Sequence, residues 1–170
     1  MLRRQKKAFL NPLTYDQFLF FMVSLMTNQK IIVYVLCAFL IASAIVYFLV
    51  ALGEYTDWME LLGYGIEDET QEKLVEISLF VGSGIVYLGL FTWVLKAGGR
   101  KRLPYIASIA VSVALIITYI ASRTVGVPIV GVEYYVGRLD VISKILQVIV
   151  IGISGFALFN MKNQLSKGVT

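Results

Sequence analysis

The sequence predicts an all-α integral membrane protein, a four-helix bundle preceded by an additional N-terminal interfacial helix. Composition is the first reason. Of 170 residues, 58% are hydrophobic and only 15% charged, with a mean hydropathy of +0.79. Soluble domains run at about 45–50% apolar and about 25% charged residues. The second reason is length: four stretches hold the roughly 20 apolar residues needed to cross about 30 Å of hydrocarbon at about 1.5 Å per residue. The third is that charge alternates in sign between the stretches.

Taken in order, residues 1–30 form a basic N-terminal segment. Within it Tyr15 to Thr27 reads as a helix, with Thr14 as N-cap and Gln17 three residues on. Its apolar run Phe18 to Met26 is too short to span, since about 12 residues cover only about 18 Å. A crossing there would also part Arg3, Arg4, Lys6 and Lys7 from Lys30. The helix is therefore expected to lie at the inner interface or against a partner. A cleavable signal peptide is disfavoured by Asn11-Pro12 and Asp16 before the apolar core and by Thr27-Asn28-Gln29-Lys30 after it.

The transmembrane domain, 31–160, has spans at Ile31–Leu52, Ile77–Leu95, Tyr105–Ala121 and Val141–Phe159. Between the first two, Gly53 to Glu76 reads as an outer loop. Asp57 with Glu60 caps a short amphipathic turn, Trp58 to Leu62, that Gly63 ends, and Asp68 with Gln71 starts the second helix near Glu69. Tyr55, Trp58 and Tyr64 suit the headgroup layer. A short inner hairpin, Ala97 to Leu103, precedes the third helix, whose first turn accommodates Pro104. Residues 161–170 form a short tail.

The charges set the orientation. The side with the N-terminus, the Gly98-Gly99 hairpin and the C-terminus carries eleven basic residues against one acid, Asp16; the other side carries four against ten. Basic residues stay cytoplasmic on insertion, so a multi-pass protein of the cell membrane with both termini inside is expected. The basic residues are juxtamembrane clusters, which suit anionic headgroups, and a nucleic-acid partner is not expected.

In lipid, helices associate through close backbone approach. Helix two offers Ser78, Gly82, Gly84 and Gly89, helix three Ala107, Ala110, Ala114, Thr118 and Ala121, and helix four Gly152, Ser154, Gly155 and Ala157. These either pack the bundle internally or meet another subunit. The apolar exterior of helix one, with the Tyr15–Met26 helix beside it, is the better candidate for a partner membrane subunit.

Chemistry is scarce. There is no histidine and one cysteine, Cys37, which excludes internal disulfides, zinc-thiolate sites, histidine triads and most haem or copper ligation. Cys37 is expected to be inert. No catalytic residue, cofactor or metal ligand is assigned. The acidic run Glu67, Asp68, Glu69, Glu72, Glu76 lacks calcium-loop spacing and reads as a solvated face. Gly82-Ser83-Gly84 lacks the following lysine of a phosphate loop.

The most polar stretch at membrane depth is an outer cluster: Glu76, Arg123, Glu133, Arg138, Asp140, Lys144 and Gln147. Lys144 lies about one turn below Asp140 and is expected to snorkel or to pair with Glu76, Asp140 or Glu133. The cluster reads either as a binding site for a small solute or ion, or as an ion-paired lid closing the bundle. No helix centre carries a charge, which counts against a proton relay or an ion-coupled transporter.

Ser122 to Glu133, followed by Asp140 and Lys144, resembles a pattern in small uncharacterised four-helix membrane proteins of archaea and some actinobacteria; the resemblance covers about the last 70 residues. In size, lysine-rich inner ends and lack of metal ligands the chain is also similar to the small accessory subunits of the archaeal ammonia monooxygenase. That resemblance implies copper chemistry housed in other subunits. The function expected is a non-catalytic subunit that packs and positions a larger membrane complex. The alternative is an oligomeric pore or carrier for a small solute or cation around Arg123, Glu133 and Lys144, with a headgroup-modifying enzyme third.

Overall fold

The computed structural model describes residues 29–65, 67–126 and 137–167, with side chains for all of these but 67–69 and 163–167. The Tyr15–Thr27 helix, Glu133 and the end of the tail lie outside the described residues. Four helices follow one another: α1 Gln29–Tyr64, α2 Glu67–Ala97, α3 Leu103–Thr124 and α4 Arg138–Lys167. Among the described residues there is no strand. All four helices are long and apolar enough to cross a membrane, so the chain is an all-α four-helix membrane bundle. One end, the basic end, carries Lys30, Lys96, Arg100, Lys101, Arg102 and Lys162; the acidic end carries the α1–α2 and α3–α4 connections.

The element that departs most from expectation is α1. Instead of ending at Leu52 and giving way to a loop, it runs 36 residues without a break, about 54 Å. Gly53 costs a helix only about 1 kcal/mol, and Thr56 bonds back to its carbonyl (Oγ1 to O, 2.6 Å). The helix ends at Gly65 rather than Gly63. Gly65 adopts φ 71°, and its N–H donates to the Leu62 carbonyl at 3.3 Å. The extension is fastened to α2 by Lys73, described below.

At the basic end the hairpin forms as expected. Gly98 and Gly99 take φ 55° and 81°, which glycine allows without strain. Gln29 Nε2 donates to the Gly99 carbonyl at 2.8 Å, tying the start of α1 to the α2–α3 turn. Pro104 sits in the first turn of α3. At the other end of α3, Gly126, with φ 84°, closes the helix by donating to the Ala121 carbonyl at 3.0 Å.

Neighbouring helices pack as α1–α2, α1–α4 and α3–α4, while α2 and α3 touch much less. The core runs along α1 (Ile32, Val33, Leu36, Cys37, Leu40, Ala44, Tyr47) and takes in Tyr87, Leu90 and Val94 of α2, Tyr105 of α3, and Val150, Ala157 and Met161 of α4. Some of the buried serines satisfy their hydroxyls by bonding back to their own helix, whereas Ser154 Oγ finds no partner among the described residues. Ser43 donates to the Phe39 carbonyl at 2.9 Å and Ser108 to the Pro104 carbonyl at 2.8 Å.

Most of the small residues do not pack the bundle. Of the glycines on α2, only Gly84 is a close-approach point, with the Phe48 ring 2.9 Å from where a Cβ would stand; at Gly82 and Gly89 that position is open. Gly152 and Gly155 on α4 are equally open, and Ala110 and Ala114 of α3 face outward. Buried tyrosines, Tyr87 and Tyr105, occupy the space between α2, α3 and the core. Gly84→Ala is therefore expected to destabilise the bundle by about 1–3 kcal/mol, the usual result of overpacking. Gly82→Ala is expected to be neutral or stabilising by up to about 1 kcal/mol. Unfolding by SDS titration separates the two.

Candidate functional site

The site is a cleft of about 200 Å³ toward the acidic end, between α2 and α3, where those helices stand apart. Leu79, Phe80 and Ser83 of α2 form one wall and Leu115, Thr118 and Tyr119 of α3 the other. Tyr47 and Val50 of α1, with Ser143 and Lys144 of α4, complete it, and Glu76, Arg123 and Asp140 stand at its rim.

Two carboxylates of the predicted cluster are already engaged. Glu76 Oε2 accepts from Lys73 Nζ at 2.7 Å, and Glu54 Oε2 from the same ammonium at 2.6 Å. Lys73 thus bridges α1 to α2. Asp140 is held from two sides: Arg123 Nη2 lies 3.2 Å from Oδ2, and the Gly137 N–H donates to that oxygen at 3.0 Å. The second contact is the reach-back of a third-position carboxylate to the residue before its helix, and the negative charge suits the α4 N-terminus. Ser143 Oγ adds a bond to the Asp140 carbonyl at 2.7 Å.

Lys144 therefore pairs with neither Glu76 nor Asp140, and its third expected partner, Glu133, lies outside the described residues. Among the described residues no carboxylate lies within ion-pair distance of it, because Lys73 holds Glu76 and Arg123 holds Asp140. Its ammonium sits instead over aromatic rings, 4.6 Å from the Tyr119 centroid and 5.9 Å from that of Tyr47. Arg123 lies 5.0 Å from the Tyr119 centroid as well. Gln147 is fully buried one turn deeper and donates through Nε2 to the Tyr47 hydroxyl. Tyr47 stacks on Tyr87, centroids 5.7 Å apart, and the Tyr87 hydroxyl shares a 3.0 Å hydrogen bond with Ser112. These bonds hold the floor of the cleft rigid.

Of the predicted cluster, then, Glu76, Arg123, Asp140 and Lys144 line one cavity, and Gln147 supports it from below. Arg138 stands exposed and apart from it. Glu133 lies outside the described residues. Sequence reasoning missed Tyr47, Tyr119 and Lys73. The first two carried a usable signal, since tyrosines inside apolar spans need a polar partner when buried.

No protein-family model, no curated protein and no solved structure matches the chain.

Proposed function

We propose that the protein is a non-catalytic integral membrane subunit that packs and positions a larger membrane complex, with both termini in the cytoplasm. The observation that supports it is the uncovered face of α2. Ser78, Gly82 and Gly89, at positions i, i+4 and i+11, share one helix face with Val86 and Trp93, and none of the described residues fills the space at either glycine. A small-residue furrow flanked by larger apolar side chains is the surface on which membrane helices approach most closely. α1, the partner-facing helix expected from the sequence, packs on α2 and α4 along one side and keeps Tyr34, Ile45, Leu49 and Leu52 exposed on the other. The α2 furrow thus adds a second partner-facing surface to that of α1. The unequal charge of the two ends supports the orientation.

Extraction in mild detergent is expected to bring down a stoichiometric partner subunit. Gly82→Leu with Gly89→Leu is expected to release that partner while leaving the chain folded. A chain that migrates alone from its native membrane overturns the proposal. The resemblance to accessory subunits of the archaeal ammonia monooxygenase names one complex to look for. A reporter fused after Thr170 is expected on the cytoplasmic side, and an exterior signal reverses the orientation.

A further inference from the structure

Among the described residues Lys144 is a cation with no carboxylate at ion-pair distance, and it lines a cleft whose walls are mainly hydrocarbon. An ammonium held away from water is costly unless an opposite charge meets it. The two carboxylates that line the same cleft among the described residues are held by other cations, Glu76 by Lys73 and Asp140 by Arg123. Aromatic faces offset part of the cost and leave the ammonium's hydrogens available to an incoming acceptor. The walls add a second requirement. Leu79, Phe80 and Leu115 offer nothing to a hydrated ion and much to methylene groups. The cavity holds a headgroup and the first few carbons of a chain, and the gap between α2 and α3 lets the remainder run into the bilayer.

From this we propose that the cleft is a binding site for an anionic amphiphile, a lipid-type molecule whose carboxylate or phosphate head pairs with Lys144 while its chain lies between α2 and α3. The head arrives carrying the charge that Lys144 lacks, and the tail fills a gap that the bundle itself leaves open. This inference is independent of the α2 furrow, which faces away from the bundle.

The test is native mass spectrometry of the full chain in maltoside micelles, titrated separately with oleate, oleyl alcohol and inorganic phosphate. Oleate is expected to bind one to one and at least about tenfold more tightly than oleyl alcohol, a difference of about 1.4 kcal/mol. Inorganic phosphate alone is expected not to bind. Lys144→Met is expected to bring oleate and oleyl alcohol to equal affinity, while Lys144→Arg keeps the preference. Removing an uncompensated cation does not threaten the fold, so Lys144→Met is expected to unfold at equal or higher SDS than the native chain. Thr118→Trp, which fills the α3 wall without touching the charge, is expected to abolish oleate binding. Equal binding of oleate and alcohol by the native chain overturns the proposal. So does an oleate preference that survives Lys144→Met, or phosphate binding as tight as that of oleate.

Discussion

Lys73→Met is expected to destabilise the bundle by about 2 kcal/mol, between the ~0–1 of an exposed pair and the ~3–5 of a buried one. Lys73 holds two carboxylates at once, Glu54 on α1 and Glu76 on α2, and all three side chains are only partly exposed, at 28%, 20% and 12%. Without the ammonium, two half-buried anions face each other and the α1 extension loses its tie. Most of the loss is the cost of stranded charge rather than the worth of the bridge. The triple variant Glu54→Gln, Lys73→Met, Glu76→Gln is therefore expected to recover more than half of it. Cys37, the sole thiol and buried in the core, reports both experiments: a thiol-reactive fluorogenic dye reacts with it only as the bundle opens. A triple variant no better than the single one shows that the bridge itself carries the stability.

The second large effect falls on Asp140→Ala, expected to cost about 3 kcal/mol. Three contributions are lost together. The α4 N-terminus loses an acceptor for the Gly137 N–H, and lost caps cost about 0.5–2 kcal/mol. It loses a favourable charge at its positive end, worth about 0.3–1 kcal/mol. Arg123, partly buried, loses the carboxylate 3.2 Å away. Asp140→Asn keeps an acceptor for Gly137 and is expected to cost about half as much. Unfolding in SDS with the Cys37 readout measures both, and an asparagine variant as damaged as the alanine one shows that charge alone matters at this position.

Much of the fold was legible because the bilayer leaves so little choice. Backbone groups must be satisfied within each crossing, so apolar length alone located four helices. Gly98-Gly99 and Pro104 marked the basic-end hairpin for local reasons that no distant contact overrides. The course of α1 beyond Leu52 was not legible in the same way. Asp57 and Glu60 have the spacing of a capping box, but residues three apart also share a face of an uninterrupted helix, and the contact that favours the latter, Glu54 to Lys73, joins residues 19 apart. Small-residue spacing likewise gave stripes without saying which neighbour each stripe meets. Only the packed structure shows Gly84 turned inward against the Phe48 ring and Gly82 and Gly89 left open.

Spacing put Glu76, Arg123, Asp140 and Lys144 at one depth, and in the structure these four line one cavity. Spacing placed Lys144 one turn from Asp140 and left open whether it snorkels or pairs with Glu76, Asp140 or Glu133. Arg123, on the preceding helix, and the Gly137 N–H compete for the Asp140 carboxylate and hold it. Which cation wins depends on how α3 and α4 cross, and helix periodicity carries no record of that.

α1 is a single rod rooted at Gly99 by Gln29, and it passes through the whole bundle to Tyr64. With no hinge along about 54 Å, a tilt of about 5° at one tip shifts the other by about 5 Å. Whatever leans on the stalk at the acidic end therefore displaces the α2–α3 hairpin on the opposite face of the bilayer. The two aqueous compartments are mechanically in touch through one piece of backbone.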